Sequence, residues 1–235
     1  FGAANWGSPD SSFVNASTTD RAQAFLDVLK RHNVTTIDTS RNYPRGAPGT
    51  SEDLIGTVHA APQGFVIDTK VSNEKGDHKY ERIIQSVDGS LASLGVSKVR
   101  VEYLHWPDRS VKLEEPLRAL NQKYNEGKFE KFGISNYSAE EVEEILGICE
   151  REGWVKPSVY QGHYNALCRR GEKQLFPTLR ANNISFYAYS PGAGGAFSKS
   201  STRLARQVSS SPNPLSPRPL VLLFHTQSIR ARSSH

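Results

Sequence analysis

The strongest constraint on the fold of this chain is a regular alternation of two kinds of segment. Short runs rich in β-branched and aromatic residues are followed by longer segments with helical periodicity. We predict seven strands, at residues 1–4, 35–39, 65–71, 99–105, 129–135, 158–164 and 185–190. Between them, apolar side chains recur three and four residues apart, which gives each predicted helix one apolar face. Serial strand–helix units of this kind indicate parallel strands joined by right-handed crossovers.

Two architectures accommodate so many units, the closed eight-stranded barrel and the open doubly wound sheet. A dinucleotide-binding doubly wound sheet carries the glycine pattern G-x-G-x-x-G after its first strand. Gly2 and Gly7, in FGAANWG, do not have that spacing. We therefore predict an α/β chain with a (β/α)8 TIM-type barrel. Ser138 followed by Glu141 predicts a capping box, and so the start of a helix.

The composition of the chain changes after Gly195. Residues 196–235 are rich in serine and proline and contain SSSPNPLSPRP, which cannot form a continuous amphipathic helix. We predict a barrel over residues 1–195 and an atypical Ser/Pro/Arg-rich tail over residues 196–235. Only residues 219–225, PLVLLFH, are apolar enough to pack, as an eighth strand, a short helix or an exposed peptide. The barrel is therefore predicted to be incomplete after its seventh strand.

The net charge of +5 belongs to this tail, because residues 199–235 carry six Lys and Arg and no acidic residue. The tail has no interleaved aromatic residues and no nucleic-acid motif, so we expect no nucleic-acid partner. No apolar run is long enough to cross a membrane, and we expect no membrane partner. Cys149 and Cys168 cannot form a disulfide framework or a multi-cysteine zinc site, which favours a cytoplasmic location and no metal. A chain that opens at Phe1 and lacks methionine is expected to be a fragment.

Four titratable residues lie at or after the predicted carboxyl ends of strands, where barrel enzymes build their active sites. They are Asp38 and Tyr43 in IDTSRNY, Lys70 in FVIDTK and His105 in VEYLHW. Taken singly, each has an ordinary structural explanation, such as a turn cap or a buried imidazole. Together they fit carbonyl reduction, in which the developing alkoxide needs a proton.

A free tyrosine holds its proton tightly, since its pKa is about 10. A nearby ammonium stabilises the phenolate, and Lys70 is the candidate for that cation. Asp38 would hold the Lys70 ammonium in place, while His105 would donate a hydrogen bond to the carbonyl oxygen. The hypothesis requires these side chains to lie together around Tyr43.

With these residues the chain resembles the aldo-keto reductase family. IDTSRNY, the lysine of FVIDTK and YLHWPD are similar to the family's Asp, Tyr, Lys and His tetrad, in the family's order. KFGISNY, VYQGHYNA and FYAYSPGAGG resemble its nicotinamide-binding segments. The sequences of these segments are most similar to the aflatoxin aldehyde reductase and norsolorinic acid reductase-like branch, and the resemblance runs from residue 1 to about residue 195. It implies an NADPH-dependent reductase of aldehydes or ketones, acting on a small-molecule carbonyl substrate.

The resemblance also assigns further roles. Tyr43 becomes the proton donor, with Lys70 and Asp38 tuning it and His105 orienting the carbonyl. The residues implied to bind the cofactor are Ser135, Asn136, Gln161, Tyr189 and Ser190. From their positions after predicted strands, and not from the resemblance, Trp6 and Trp106 are expected to border the substrate pocket, and Arg169 is a candidate for binding an anionic group of the substrate.

The chain departs from the family after Gly195, where no eighth strand and no loop for the 2′-phosphate of NADPH is recognisable. NADH therefore stays open beside NADPH. A second hypothesis is a non-catalytic or weakly active truncated member that senses the cofactor or binds a partner. A third is a barrel enzyme that acts on a phosphorylated metabolite, which leaves Asn136, Gln161 and Tyr189 unexplained. A homodimer is compatible with all three.

Overall fold

A computed structural model describes residues 1–11, 14–196 and 228–229 of the chain. Helices and strands alternate along it. In chain order they are α1 (Thr19–Arg31), β1 (Thr36–Asp38), α2 (Thr50–Thr57), β2 (Val66–Lys70), α3 (Tyr80–Leu94), β3 (Val99–Leu104), α4 (Glu114–Asn125), β4 (Phe129–Ser135), α5 (Ala139–Glu152), β5 (Val159–His163), α6 (Leu175–Ala181), β6 (Ser185–Tyr189) and β7 (Ser228–Ile229). Short 3-10 turns lie at Arg170–Glu172 and Ala193–Gly195.

The first six strands form a sheet in which each strand pairs in parallel with the next one along the chain. Six of the seven predicted strands are therefore confirmed. The first, at residues 1–4, is reduced to a single bridge between Gly2 and Asp38, with hydrogen bonds from the Ala3 amide to the Asp38 carbonyl and from the Asp38 amide to the Phe1 carbonyl. It still runs parallel to β1 at the position where the first barrel strand is expected.

The sheet is curled, as one contact between distant strands shows. The Gln161 amide on β5 donates a hydrogen bond of 2.8 Å to the Asp38 carboxylate on β1. In a flat sheet, strands four positions apart would be about 19 Å from each other. Curling brings these two side chains together across the interior, as in a barrel. The prediction of an incomplete α/β barrel is confirmed.

The helices cover the outer face of this sheet with their apolar stripes. On α1 the buried residues are Ala22, Leu26 and Leu29, which are four and three residues apart as the predicted periodicity requires. The capping box at the start of α5 is confirmed: the Glu141 amide donates to the Ser138 hydroxyl, and the Glu141 carboxylate accepts from the Ser138 amide. Local sequence signals therefore fix the helix faces, and burial against the sheet holds them.

The far edge of β6 pairs with β7, which is antiparallel and only two residues long. The candidate eighth strand at residues 219–225 lies outside the described residues, and so does most of the predicted tail. No helix in the described part of the chain is both long and apolar enough to cross a membrane.

Candidate active site

The four titratable residues singled out from the sequence converge at the carboxyl ends of the strands. Asp38 and Lys70 are the last residues of β1 and β2, His105 directly follows β3, and Tyr43 lies in the loop between β1 and α2. Asp38, Tyr43 and His105 line a cavity of about 760 Å³. This is the end of the barrel at which βα-loops form active sites.

Lys70 and Asp38 form a buried ion pair. The Lys70 Nζ donates to Asp38 Oδ2 at 2.7 Å and to the Thr39 carbonyl oxygen at 2.6 Å, and the Lys70 side chain is completely buried. Burial alone would lower the pKa of Lys70, but the charge and hydrogen bond of Asp38, together with Tyr43 and Asp68, outweigh burial and the pKa is raised. Lys70 is therefore an ammonium at neutral pH.

Tyr43 lies beside this ammonium, with the Lys70 Nζ 5.1 Å from its ring centroid. Burial raises the pKa of Tyr43, whereas the positive charge of Lys70 lowers it, and the net direction is upward. This is opposite to the direction expected from the sequence, because the desolvation of the phenolate outweighs the ammonium. Tyr43 is consequently a neutral phenol at neutral pH.

The loop that carries Tyr43 is anchored to the helices behind it. The Arg41 guanidinium donates to Glu52 Oε2 on α2 at 3.0 Å and to the Ser93 hydroxyl on α3 at 3.1 Å. The Arg41 amide also donates to the Lys70 carbonyl at 3.0 Å. These bonds fix the loop on both sides and so hold Tyr43 near the end of β2.

His105 packs its ring edge-on to Tyr43, with 5.6 Å between the two centroids. Its Nδ1 lies 3.1 Å from the hydroxyl of Ser40. Burial, followed by the charge of Lys70 and by His78, holds the pKa of His105 well below its ordinary value. The imidazole that faces Tyr43 is therefore neutral at physiological pH.

A second group of predicted residues lines the same cavity. It consists of Ser135, Asn136, Gln161, Tyr189 and Ser190, from the ends of β4 and β6, the turns that follow them, and the middle of β5. Asn136 links three neighbours: its Nδ2 donates to the His105 carbonyl and to the Ser135 hydroxyl, and its Oδ1 accepts from the Tyr189 hydroxyl at 2.9 Å. Asn136 adopts a left-handed φ of 67°, which asparagine tolerates better than most residues.

The ring of Tyr189 packs against the ring of His163. The two rings are stacked, with centroids 5.2 Å apart and an interplanar angle of 6°. Burial raises the pKa of Tyr189 to about 12, so it stays neutral. The same aromatic ring lines the cavity.

The three residues expected at the substrate end have different positions. Trp106 lines the cavity and is 46% exposed. The expectation for Trp6 is wrong: it is fully buried, against Phe1 and Phe25, and is not among the cavity-lining residues. The expectation for Arg169 is also wrong, because it is exposed outside the cavity and pairs with Glu172.

Several cavity residues were not singled out from the sequence. They are Ala4, Asn42, Arg45, Gly46, Pro48, Asn73 and Glu74. Most come from the two loops that follow β1 and β2, so their position directly after a strand was the available signal. Ser40, which contacts His105, carried no signal beyond its place in IDTSRNY.

Comparison with known proteins gives one family. Residues 1–230 match the model described as the aldo/keto reductase family. An aldo-keto reductase of Pseudocercospora fijiensis is 41% identical over 72% of this chain and 58% of its own length. Oxidoreductase sirO of Leptosphaeria maculans is 38% identical over 81% of this chain and 58% of its own length. Human aflatoxin B1 aldehyde reductase member 4 is 41% identical over 68% of this chain and 49% of its own length. The chain thus spans about half the length of these relatives.

Proposed function

Because this chain belongs to the aldo/keto reductase family, we propose that it reduces an aldehyde or ketone to an alcohol, with NADPH as the hydride source and Tyr43 as the proton donor. One observation carries the proposal. The fully buried ammonium of Lys70, fixed by Asp38, lies 5.1 Å from the centroid of the Tyr43 ring, beside a neutral His105. The relatives with "reductase" in their names support the same class of reaction.

The direction of the pKa of Tyr43 is compatible with this role. A raised pKa keeps the phenol protonated at neutral pH, so a proton is present to be given away. When the phenolic proton moves to the carbonyl oxygen, the phenolate left behind faces the Lys70 ammonium, which stabilises the charge as it develops. Asp38 keeps that ammonium charged and in position throughout.

His105 supplies the second interaction with the substrate oxygen. A neutral imidazole retains one ring N–H, and His105 has its Nδ1 turned towards Ser40 while its ring lines the cavity. We propose that its Nε2–H donates to the carbonyl oxygen next to the Tyr43 hydroxyl. Two donors on one oxygen orient the carbonyl and stabilise the negative charge that develops on it.

The cofactor subsite offers groups that fit a nicotinamide carboxamide, which needs a donor for its oxygen and an acceptor for its NH₂ group. Within the described residues, the Ser135 hydroxyl only accepts a hydrogen bond, from Asn136, and Gln161 uses only its Nε2, towards Asp38. The Ser135 proton and Gln161 Oε1 are therefore available for the carboxamide. When bound, the nicotinamide supplies the hydride, and Tyr189 offers a flat surface for its ring.

The substrate is proposed to be a small, flat, apolar carbonyl compound. The half-exposed indole of Trp106 borders the same cavity as Tyr43 and His105. Within this proposal, residues 1–195 are the barrel, residues 196–235 are an atypical Ser/Pro/Arg-rich tail, and the protein is cytoplasmic.

The test is an assay of NADPH oxidation with an aromatic aldehyde, followed at the absorbance of reduced nicotinamide. We expect turnover by the wild-type chain and a loss of at least roughly 100-fold in Tyr43→Phe, since positioned proton transfer contributes about 10² to 10⁴. Tyr124→Phe makes the same chemical change on an exposed side chain of α4 and should keep full activity.

NADPH binding is measured in parallel by quenching of tryptophan fluorescence. A wild-type chain that binds NADPH yet is as inactive as Tyr43→Phe over a broad aldehyde panel would refute the reductase proposal and favour a cofactor-binding module. A chain that neither binds nor turns over NADPH would refute both functions.

A further inference from the structure

The hydroxyl of Ser40 lies between two polar groups behind the active-site histidine. Ser40 follows β1 in the loop that leads to Tyr43, and its side chain is completely buried. The Asn42 amide donates to Ser40 Oγ at 3.1 Å, and His105 Nδ1 lies 3.1 Å from the same oxygen. The ring of His105 also lines the cavity.

The hydrogen bonds of Ser40 can be assigned by following its single proton. A serine hydroxyl donates one hydrogen bond, and the Asn42 amide is itself a donor, so it uses an acceptor site of Ser40 Oγ. Of the two hydrogen-bond partners that Ser40 Oγ has among the described residues, only His105 Nδ1 is able to accept. If Nδ1 carried the imidazole proton, the buried Ser40 proton would have no acceptor within the described residues. An unmade hydrogen bond of this kind is unfavourable in a buried site.

We propose that Ser40 is a positioning residue that fixes the tautomer of His105. The Ser40 hydroxyl donates to His105 Nδ1, so that the neutral imidazole carries its proton on Nε2 and presents it to the cavity. The tautomer is a property of the chain itself. Its consequence, a donor held ready for the carbonyl oxygen, rests on the proposed function.

The surroundings of His105 support a neutral ring rather than an imidazolium. The titratable groups that act on it are the Lys70 ammonium and His78, and Tyr43 packs edge-on to its ring. Neither Lys70 nor His78 favours a second proton on His105, and burial disfavours one further. The ring nitrogen that carries the proton is then decided by the partner of Nδ1, and that partner is Ser40.

The tautomer is tested by nitrogen NMR on the chain labelled with ¹⁵N-histidine, with the His105 signals assigned by their loss in His105→Gln. We expect a protonated Nε2 and an unprotonated, hydrogen-bonded Nδ1 in the wild type. In Ser40→Ala the Nδ1 signal should move towards that of an imidazole nitrogen without a hydrogen bond, and Ser40→Thr, which keeps a hydroxyl, should restore it. A wild-type His105 protonated on Nδ1 would overturn the inference.

The functional consequence is tested by steady-state kinetics. Ser40→Ala should lower kcat roughly tenfold, the effect of one typical hydrogen bond, while KM for NADPH is unchanged. Ser40→Thr should recover most of this loss. Ser90→Ala is the matched control, since Ser90 is equally buried but lies on α3 and is not among the residues that line the cavity.

The two proposals fail in different ways. A wild-type chain without turnover refutes the proposed function, while the NMR experiment still decides the tautomer. If the wild-type chain turns over its substrate but Ser40→Ala and Ser90→Ala have equal kcat, the role of Ser40 is refuted and the proposed function is left intact.

Discussion

We expect that replacing Glu102 by leucine stabilises the protein. Glu102 lies in β3, where its neighbours Val101 and Tyr103 pack in the barrel interior, so that its own side chain points to the helix layer. It is completely buried, and neither carboxyl oxygen has a hydrogen-bond partner in the part of the chain that the structure describes. A buried polar group without a partner costs about 1 to 3 kcal/mol. Glu102→Leu should raise the free energy of unfolding by that amount.

The same carboxyl group makes stability depend on pH. Burial, followed by the charge of Glu52, raises the pKa of Glu102 well above its ordinary value. A group whose pKa is raised in the folded state contributes stability that is complete below the unfolded pKa and is lost as pH rises through the folded pKa. The free energy of unfolding of the wild type should therefore fall, relative to that of Glu102→Gln, as pH rises from about 4.3, the unfolded value for glutamate.

Urea unfolding followed by tryptophan fluorescence measures both effects, with Glu52→Leu as the matched control. Glu52 is also fully buried, but its carboxylate accepts from the Thr69 hydroxyl at 2.6 Å and from Arg41 at 3.0 Å. Its replacement should lower the free energy of unfolding by about 1 to 3 kcal/mol, because two donors lose their acceptor. If Glu102→Leu destabilises the chain as much as Glu52→Leu does, the reasoning about the unpartnered carboxyl is refuted.

Two further predictions concern packing and charge. In Gly133→Ala the new methyl group would collide with the ring of Tyr103, and we expect the free energy of unfolding to fall by about 1 to 3 kcal/mol. Gly147 lies in open space on α5, so Gly147→Ala should instead raise the free energy of unfolding by about 0.5 to 1 kcal/mol. Equal urea midpoints for the two variants would contradict this prediction. In Asp38→Asn the fully buried Lys70 loses its counter-ion, which should cost about 3 to 5 kcal/mol in the same assay. The contribution of this pair in the wild type should persist up to about pH 10.4 and disappear above it, because the pKa of Lys70 is raised in the folded state. A wild-type midpoint that is insensitive to alkaline pH would argue against the pair.

Much of the fold could be predicted because its signals are local. The stripe on α1 and the capping box of α5 each lie within one or two turns of helix, and the six parallel strands alternate with such helices. The strand predicted at residues 1–4 is longer than the single bridge that the structure contains, because its length depends on pairing with β1 and not on its own residues.

The site was predictable only where a residue's position after a strand determines what it faces. That reasoning places Asp38, Lys70 and His105 at one end of the barrel, but it cannot tell whether a side chain after a strand points into the cavity or into the core. Trp6 shows the difficulty, since it follows the first strand and packs among aromatic rings in the core. The direction of the pKa of Tyr43 depends on burial in three dimensions, which the order of residues does not contain.

The hydrogen bond between Gln161 and Asp38 makes the site depend on both halves of the chain. Both carboxylate oxygens of Asp38 are occupied, one by Lys70 from the first half and the other by Gln161 from the second, 123 positions away. A cut between β3 and β4 would leave the amino-terminal fragment with the carboxylate and its ammonium and the carboxyl-terminal fragment with the amide. Reassociation of the two fragments would therefore restore the hydrogen bond from the Gln161 amide to Asp38 Oδ1.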